Sequence, residues 1–393
     1  MILTIDETHY DDAHQRDCAR VAALLSDGNL HSRSNVADSL QMTSTTTSKV
    51  VADLINRGLV IEEAGEKNGR GRPAVQIALN AGRLGVTVIH VSSLALLGGL
   101  VDFSGNVLER KTIDIPADSD SEHMIVSMRQ LVEVLVERCP DGMQHLGTSI
   151  SVAGVVDVQN RKWLITSRWP KIRDLDLGAA LEPVTPVVIV CRHLDAELDA
   201  RALEYPAYRT DNTLLLHWGW GIGLAYSVNG DPFLRAGGPF GEIGHWRFNL
   251  LEQRQCGCGN HGCLETAAAL WALLPQMREL WPDLSEDEEV VAGQMAGLPL
   301  IEDLPEITTA VNLMARSLAN VCRLLFPKRV IMTGPFIANT GVREAFETAF
   351  RSEGVIGTLD LPILIADKSS EEYVIRGAVR PLLNLGLETF IRS

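Results

Sequence analysis

The chain has 393 residues, of which 46% are hydrophobic and 22% are charged, an ordinary composition for a folded protein with a sizeable core. Its formal net charge of -15 argues against nucleic-acid binding by the surface as a whole, but it does not exclude one local basic module. The sequence shows no apolar run long enough to span a bilayer and no signal-peptide layout, so we expect a cytoplasmic protein without membrane insertion.

The N-terminal region predicts an arm followed by a helix-turn-helix. Residues 1–14 are acidic and unpatterned, which is typical of a loose arm. Apolar residues then recur at helical spacing over residues 15–26, Ser32 can cap a second short helix, and Thr43 or Ser44 can cap a third. Three short helices in this order indicate a helix-turn-helix.

A wing follows the third helix. Residues 58–63 and 75–79 are strand-like, and the Gly- and Arg-rich residues 67–73 join them. Residues 15–83 therefore predict a winged helix-turn-helix domain. This segment carries nine Lys/Arg and seven Asp/Glu, a net charge of +2 within an acidic chain, so charge for phosphate contact is available locally.

Short hydroxyl side chains and cations of this domain suit contact with DNA. Hydroxyls and one lysine in the first turns of the third helix can approach base edges and phosphates, and an arginine pair in the wing suits a narrow minor groove. The predicted DNA-contacting residues are Ser44, Thr45, Thr46, Thr47, Ser48, Lys49, Arg70 and Arg72. The alternative is a winged helix that binds protein.

The remainder of the chain predicts an α/β architecture, because strand-like and helix-like stretches alternate. The predicted strands are residues 85–91, 94–102, 145–152, 212–218, 224–228 and 329–332, and the predicted helices are residues 122–138, 265–281, 286–296, 306–325 and 371–392.

A compact Cys/His motif in the second half of the chain predicts a metal site. Cys256, Cys258 and Cys263 are spaced C-x-C and C-x4-C, and His245 lies just upstream. Three thiolates and one imidazole form the donor set of a closed, structural zinc site. His261 is a competing ligand, and the alternatives are a disulfide pair or a glycine-rich loop with free thiols. The other four cysteines are scattered, which suits a reducing compartment.

Gly-Glu-Ile-Gly-His at residues 241–245, followed by the cysteine motif and Leu264-Glu265, resembles the signature of the ROK family of sugar kinases and sugar-responsive repressors. The resemblance implies an actin-like (ribonuclease H-like) two-lobed α/β domain with the sugar between its lobes. The first lobe would span residues 84–197 and the second, with the zinc site, residues 198–370. A C-terminal helix at residues 371–393 would pack back on the first lobe.

The resemblance also implies that kinase chemistry is lost. Kinases of the family need an Asp-x-Gly-Gly-Thr turn for phosphate after the first strand, where this chain has residues 90–95 without the acid or the glycines. Their catalytic aspartate aligns with His193, unless a shifted register brings in Asp195. Trp220 replaces a small hydroxyl residue in the second phosphate turn. We therefore do not expect an enzyme.

The sugar-facing elements are retained. The resemblance assigns effector contacts to Glu242, Glu265 and His245, and the alignment adds Arg192 and His193. The alternative for the two glutamates is a loop or helix-cap carboxylate, and for Arg192 and His193 an interior or surface residue. The loss of the aspartate and the gain of a cation, at Arg192 and His193, suggest an acidic, phosphorylated or amino-substituted sugar, or no sugar response at all.

These observations predict a regulator. We expect a zinc-containing transcriptional repressor of carbohydrate-metabolism genes, bound to double-stranded operator DNA as a homodimer or tetramer and relieved by a sugar or sugar phosphate. The alternatives are a hexose kinase with an appended DNA-binding domain, or a vestigial sugar pocket with control by a sugar-transport protein.

Overall fold

The computed structural model describes residues 2–64, 75–233, 240–249 and 254–392. The N-terminal module consists of α1 (Ala13–Leu25), β1 (His31–Ser32), α2 (Arg33–Leu40), α3 (Ser44–Asn56), β2 (Val60–Ala64) and β3 (Val75–Leu79). Its strands pair antiparallel in the order β1-β3-β2. Within the described residues no helix is both long and apolar enough to cross a membrane.

Side-chain caps set the start of the second and third helices. The hydroxyl of Ser32 accepts the backbone N–H of Asn35, and that of Thr43 accepts the N–H of Thr46. Each cap satisfies a backbone donor that has no partner inside the helix, so α2 and α3 begin where the sequence predicts. The predicted wing residues Arg70 and Arg72 lie outside the described residues.

The first lobe is a mixed sheet in the order β11-β7-β4-β5-β6. Its elements are β4 (Leu84–Val91), β5 (Ala95–Asp102), β6 (Val107–Asp114), α4 (Ser121–Val136), β7 (Gln144–Val152), β8 (Val155–Asp157), β9 (Lys162–Ile165), β10 (Arg173–Asp176), α5 (Leu177–Leu181), β11 (Val188–Arg192) and α6 (His193–Glu204). Strands β4, β7 and β11 run parallel, so their carboxyl ends meet at one edge of the sheet. Strands β8, β9 and β10 form a small antiparallel sheet beyond that edge.

The second lobe repeats this plan with the order β14-β13-β12-β15-β16. Its elements are β12 (Thr213–Trp218), β13 (Ile222–Val228), β14 (Asp231–Pro232), α7 (Glu265–Ala268), α8 (Leu270–Leu280), α9 (Glu288–Ala296), α10 (Pro305–Leu325), β15 (Arg329–Thr333), α11 (Pro335–Ala338), α12 (Thr340–Gly354) and β16 (Ile363–Ala366). Strands β12, β15 and β16 are parallel, and the β12–β13 turn lies at their carboxyl edge.

The last helix, α13 (Glu371–Arg392), packs on the sheet of the first lobe against β4 and β7, and it also packs along α6. The two helices approach closely at Gly377, where a Cβ atom would lie 1.8 Å from the carbonyl oxygen of Ala196. Helix α6 in turn contacts both β11 and β13. The lobe boundary expected between residues 197 and 198 therefore falls inside a helix that touches both lobes.

The N-terminal segment is anchored, which differs from the loose arm expected for residues 1–14. Ile2 and Leu3 are each 2% exposed and belong to one apolar core with α1 and α13. The N–H of Leu3 donates to the hydroxyl of Ser26 at 3.2 Å, and the N–H of Thr4 donates to the side-chain oxygen of Asn384 at 3.1 Å. A short apolar stretch next to acidic residues has no period, so its burial is not visible in the sequence.

Candidate functional site

A cavity of about 1380 Å³ opens between the carboxyl edges of the two sheets. The first lobe contributes the β4–β5 turn and the β11–α6 junction, and the second contributes the β12–β13 turn and the segment around residues 242–245. All five predicted effector residues line it: Arg192, His193, Glu242, His245 and Glu265. The topology brings them together because strand ends of both lobes face one cleft.

Arg192 ends β11 and is held by acceptors of the protein itself. Its Nη2 donates to the carbonyl oxygen of Leu224 at 3.1 Å and lies 3.5 Å from Oε1 of Glu242, and its Nη1 lies 3.3 Å from Oδ2 of Asp195. The residue is only 6% exposed. Its charge is therefore already compensated by Asp195 and, when it is ionised, by Glu242, which weakens the inference that Arg192 recruits an anionic sugar.

Glu242 is the carboxylate whose protonation is most affected by the cleft. Burial raises the pKa of Glu242 to about 7, with smaller upward contributions from the charges of Glu265 and Asp195 and against the opposing charge of Arg192. Near neutral pH this side chain is thus poised between an acceptor and a donor of hydrogen bonds. Such a group can bind a sugar hydroxyl in either state.

His193 begins α6 and is tied to a buried acid. Its Nε2 lies 3.8 Å from Oε2 of Glu197, and its ring meets that of His90 edge-on, with centroids 4.7 Å apart. Burial would raise the pKa of Glu197, but the hydrogen bond and charge of His193, with Arg201, outweigh it and lower the pKa to about 2. The position that aligns with a kinase base thus holds a histidine paired with an ionised carboxylate.

Glu265 supports the loops of the cleft as well as lining it. Its Oε1 accepts the N–H of Ile222 at 3.1 Å, and its Oε2 lies 3.3 Å from the indole Nε1 of Trp271, which donates to it. Gly244 packs against this carboxylate so closely that a Cβ there would lie 2.8 Å from it and 2.5 Å from the Ile222 carbonyl oxygen. Each oxygen of Glu265 therefore already accepts one hydrogen bond inside the protein.

The predicted metal ligands form one cluster. The ligand atoms of His245, Cys256, Cys258 and Cys263 all lie within 4.8 Å of one another. Nδ1 of His245 is 3.5 Å from the Cys256 sulfur, and the sulfurs of Cys258 and Cys263 are 3.7 Å apart. Three soft sulfurs and one imidazole at these separations can hold a metal such as zinc, and these four ligands would leave no coordination position open.

Local backbone conformation creates this cluster. A short 3-10 helix, Ile243–His245, presents the histidine, and bridges between Arg247 and Cys263 and between Gln255 and His261 close the loop. Gly259 adopts a φ of +91°, which favours glycine. His261 is exposed and lies outside the cluster, so it is not a ligand in this arrangement. All seven cysteines are free of disulfides.

The two turns that align with phosphate-binding turns are occupied by protein contacts between the lobes. The guanidinium of Arg168, from the first lobe, lies over the ring of Trp220, 3.4 Å from its centroid. Nη2 of Arg168 donates to the hydroxyl of Ser93 at 3.0 Å and to the carbonyl oxygen of Glu286 at 3.0 Å. The same Ser93 hydroxyl accepts the N–H of Glu288, at the start of α9. We name Ser93, Arg168, Trp220 and Glu288 the interlobe latch.

A histidine extends the latch. Nε2 of His217 lies 2.6 Å from Oε1 of Glu288, and its Nδ1 lies 3.1 Å from the hydroxyl of Thr333. Burial would lower the pKa of His217, but the charge of Glu288 outweighs it and raises the pKa. Burial would raise the pKa of Glu288, which His217 and Arg168 instead lower. Arg168, His217 and Glu288 were not predicted from the sequence, because they are far apart in the chain and belong to no motif.

The third helix exposes only part of the predicted DNA-contacting row. The exposed members are Ser44, Thr45, Ser48 and Lys49. Thr46 is half-buried, with its hydroxyl 2.8 Å from that of Thr43, within the helix cap. Thr47 is fully buried and donates its hydroxyl to the Thr43 carbonyl oxygen at 3.0 Å. The prediction of Thr47 as a DNA contact is therefore wrong, because its position on the helix directs its side chain toward the core.

The fold and site define a two-lobed α/β protein with a Cys/His metal cluster beside an interlobe cleft. Residues 89–380 match the ROK family, and the chain belongs to that family.

The chain is similar to regulators and kinases of this family. The xylose repressor of Caldicellulosiruptor bescii is 25% identical over 326 residues, which cover 80% of this chain and 76% of that repressor. A solved ROK family transcriptional regulator, described as a homologue of the Escherichia coli Mlc protein, superposes with a TM-score of 0.74 at 21% identity, covering 98% of this chain and 100% of that one. A ROK hexokinase from Thermus thermophilus superposes with a TM-score of 0.57 at 21% identity, over 75% of this chain and 97% of the hexokinase.

Proposed function

We propose that the protein is a sequence-specific DNA-binding transcriptional regulator, a repressor of carbohydrate-metabolism genes that a sugar or sugar-phosphate effector releases. The observation that supports this proposal is the interlobe latch, which occupies the turns that align with the phosphate-binding turns of the family's kinases, while the carboxylates that the resemblance assigns to the sugar still line the cleft. A protein of this kind senses a sugar without transferring phosphate to it. The names of the xylose repressor and the Mlc homologue agree with this reading.

The N-terminal module supports DNA binding. Helix α3 presents Ser44, Thr45, Ser48 and Lys49 to solvent, and α1 and α2 pack behind it. Small hydroxyls allow the backbone of a recognition helix to approach base edges, and the lysine can contact phosphate. Arg70 and Arg72 would add minor-groove contacts from the wing. Helix-turn-helix proteins generally read paired half-sites, so we propose a homodimer or tetramer.

An apolar surface on the second lobe supports self-association. Leu324 and Phe326, at the end of α10, are 76% and 64% exposed, and Val355, just after α12, is 59% exposed. The side chain of Arg323 donates to the Glu353 carbonyl oxygen, which places these helix ends together. Large exposed apolar side chains in one region mark surfaces that other chains cover.

A continuous set of contacts connects the cleft with the DNA-binding module. His193 begins α6, α6 packs along α13, and α13 packs against α1. Nη1 of Arg57, just after α3, donates to the carbonyl oxygen of Phe390 in α13 at 2.8 Å. An effector that favours one lobe arrangement would move α6 and α13 and thereby the recognition helix. The effector must bind the two arrangements with different affinity for this coupling to operate.

In this proposal the metal has a structural role. A zinc ion held by His245, Cys256, Cys258 and Cys263 would stabilise the loop next to Glu242, and His245 would link it to the cleft that it also lines. A regulator with free cysteines and a DNA target acts in the cytoplasm.

Fluorescence anisotropy with DNA from the region upstream of its own gene tests the proposal. The titration is run over a salt series and with a panel of sugars and sugar phosphates. We expect selective, salt-sensitive binding that one sugar weakens. Absence of selective binding at moderate salt would exclude the DNA-reading function and leave the kinase alternative, for which phosphate transfer from ATP is the assay. DNA release by cell extract but by no sugar would favour control by a sugar-transport protein.

A further inference from the structure

A second cluster of metal-type ligands lies in the N-terminal module, at the contact between α1 and α3. His14 and Cys18 are four residues apart on one face of α1, and Asp53 approaches from α3. Nε2 of His14 is 3.0 Å from Oδ2 of Asp53, and the Cys18 sulfur is 3.7 Å from each of these two atoms. One imidazole, one thiol and one carboxylate therefore converge on a single point.

These separations fit one small ion. Tetrahedral zinc, with bonds of about 2.3 Å to sulfur and about 2.0 to 2.2 Å to nitrogen or oxygen, separates its ligand atoms by roughly 3.4 to 3.6 Å. The two distances from Cys18, 3.7 Å each, lie just above this range, and the His14–Asp53 distance of 3.0 Å lies below it and needs to widen by a few tenths of an ångström.

We propose that His14, Cys18 and Asp53 form a second binding site for zinc or a similar divalent transition-metal ion. The chemistry of the set favours such ions over calcium or magnesium, because two of the three donors are sulfur and nitrogen. The His14 and Asp53 side chains are 33% and 28% exposed, so an ion and a water ligand can enter. Three protein ligands leave one coordination position for water, which makes this site more exchangeable than the closed cluster.

The surroundings of Asp53 supply a second layer of support. Its other oxygen, Oδ1, accepts from Nε of Arg57 at 3.1 Å, and Arg57 also donates to the Phe390 and Ile391 carbonyl oxygens of α13. A ligating carboxylate oriented by a hydrogen bond in this way binds metal more tightly. A bound ion would cross-link α1 to α3 and fix both to the C-terminal helix.

Cobalt titration of the full-length protein tests the site. The protein is used with its Cys3His cluster loaded, and total metal is counted by elemental analysis after saturation with Co²⁺ and removal of loose ion. We expect two metal equivalents per chain, the second with the visible spectrum of tetrahedral, thiolate-bound cobalt. Cys18→Ala and Asp53→Asn should each retain one equivalent. Cys139→Ala, which removes a thiol outside both clusters, should retain two.

A milder variant guards against misfolding. His14→Gln changes a half-exposed residue near the start of α1 and should also reduce the count to one, with an unchanged melting temperature in the absence of added metal. Added Zn²⁺ should raise the melting temperature of the wild type but not that of His14→Gln. Equal metal content in the wild type and Cys18→Ala, or a second cobalt ion without a thiolate band, would overturn the proposal and leave an ordinary His–Asp pair. None of these measurements depends on DNA binding.

Discussion

The guanidinium of Arg168 stacks on the indole of Trp220, with 3.4 Å between the central carbon and the ring centroid, and this contact joins the two lobes. Burial lowers the pKa of Arg168 to about 10, although Glu288 and Glu286 oppose the shift, so the side chain stays charged at neutral pH. A desolvated cation over an indole is one of the stronger contacts of its type. The lobes are thus held together at the place where the resemblance implies phosphate binding in kinases.

Removal of Arg168 should loosen the lobes. Arg168→Ala loses the stacking contact and two hydrogen bonds, so we expect the free energy of unfolding to fall by about 2 to 3 kcal/mol. Hydrogen exchange should rise in the β4–β5 turn and in the first turn of α9. Arg173→Ala, at an exposed position on β10 of the same lobe, is the matched control and should leave both unchanged. Equal hydrogen exchange in Arg168→Ala and Arg173→Ala would contradict the role of the interlobe latch in holding the lobes together.

Glu242 should control the sugar response. Glu242→Gln keeps the shape but removes the acidic group next to Arg192, so effector affinity should fall roughly tenfold or more. DNA affinity without effector should stay the same, because Glu242 lines the cleft and no residue of α3 does. Titration calorimetry with the active sugar measures the first quantity and anisotropy the second. Glu289 is an exposed carboxylate that also lines the cavity, and Glu289→Gln should bind the effector as the wild type does. An equal loss of effector affinity in Glu289→Gln would contradict the assignment of Glu242 to the effector site.

Substitution of a ligand in the metal cluster should have a different effect from substitution of the nearby His261. Cys263→Ser removes a buried thiolate, and we expect loss of the bound zinc and a large drop in melting temperature. His261→Ala should keep both, because His261 is exposed and outside the cluster. Elemental analysis and thermal unfolding of the two variants are the measurements. Zinc retained by Cys263→Ser but lost by His261→Ala would mean that His261 is the true ligand.

Local signals predicted the elements with strong patterns. Helices α1 and α13 lie within two residues of their predicted bounds, and α2 and α3 begin directly after capping residues that were predicted, because capping residues and apolar periodicity occur in contiguous stretches of sequence. Strand β6 and helix α12 were not predicted. The residues of β6 are mostly exposed and polar, so the strand has no apolar alternation to reveal it. The small β8–β9–β10 sheet was missed because each of its strands is very short.

The site was predictable only where a motif is contiguous. The metal cluster and Glu242 lie in one short stretch, and that stretch predicted them. The interlobe latch joins residues up to 195 positions apart, so only the folded chain brings them together. Thr47 was wrongly predicted as a site residue, because a row of hydroxyl residues in the sequence does not show which side chain faces the core. His14 and Cys18, on α1, are likewise separated from Asp53, on α3, by the whole of α2.

Lys49 should contribute to DNA affinity without setting sequence preference. Lys49→Ala removes an exposed cation from the first turns of α3, so affinity should fall by a similar factor on all DNA sequences. The slope of log affinity against log salt should decrease by about 0.9 if one phosphate contact is lost. Lys111→Ala, an exposed lysine on β6 in the first lobe, should change neither. An unchanged slope in Lys49→Ala would place α3 away from the phosphates.

Stability should depend on pH through His217. Its pKa is raised above the ordinary value of 6.5, so the folded state holds the proton more tightly than the unfolded chain. The stability that this pair contributes is therefore fully present below about pH 6.5 and is lost as pH rises through the raised pKa. His217→Gln keeps a hydrogen-bonding group but no charge. We expect it to be less stable than wild type by about 1 to 2 kcal/mol at pH 6 and by less as the pH increases to 9. Denaturant unfolding at several pH values measures this difference, with exposed His123→Gln as the control. If the difference in the free energy of unfolding between wild type and His217→Gln grows with pH, then His217 is neutral in its pair with Glu288. That result would contradict the raised pKa of His217.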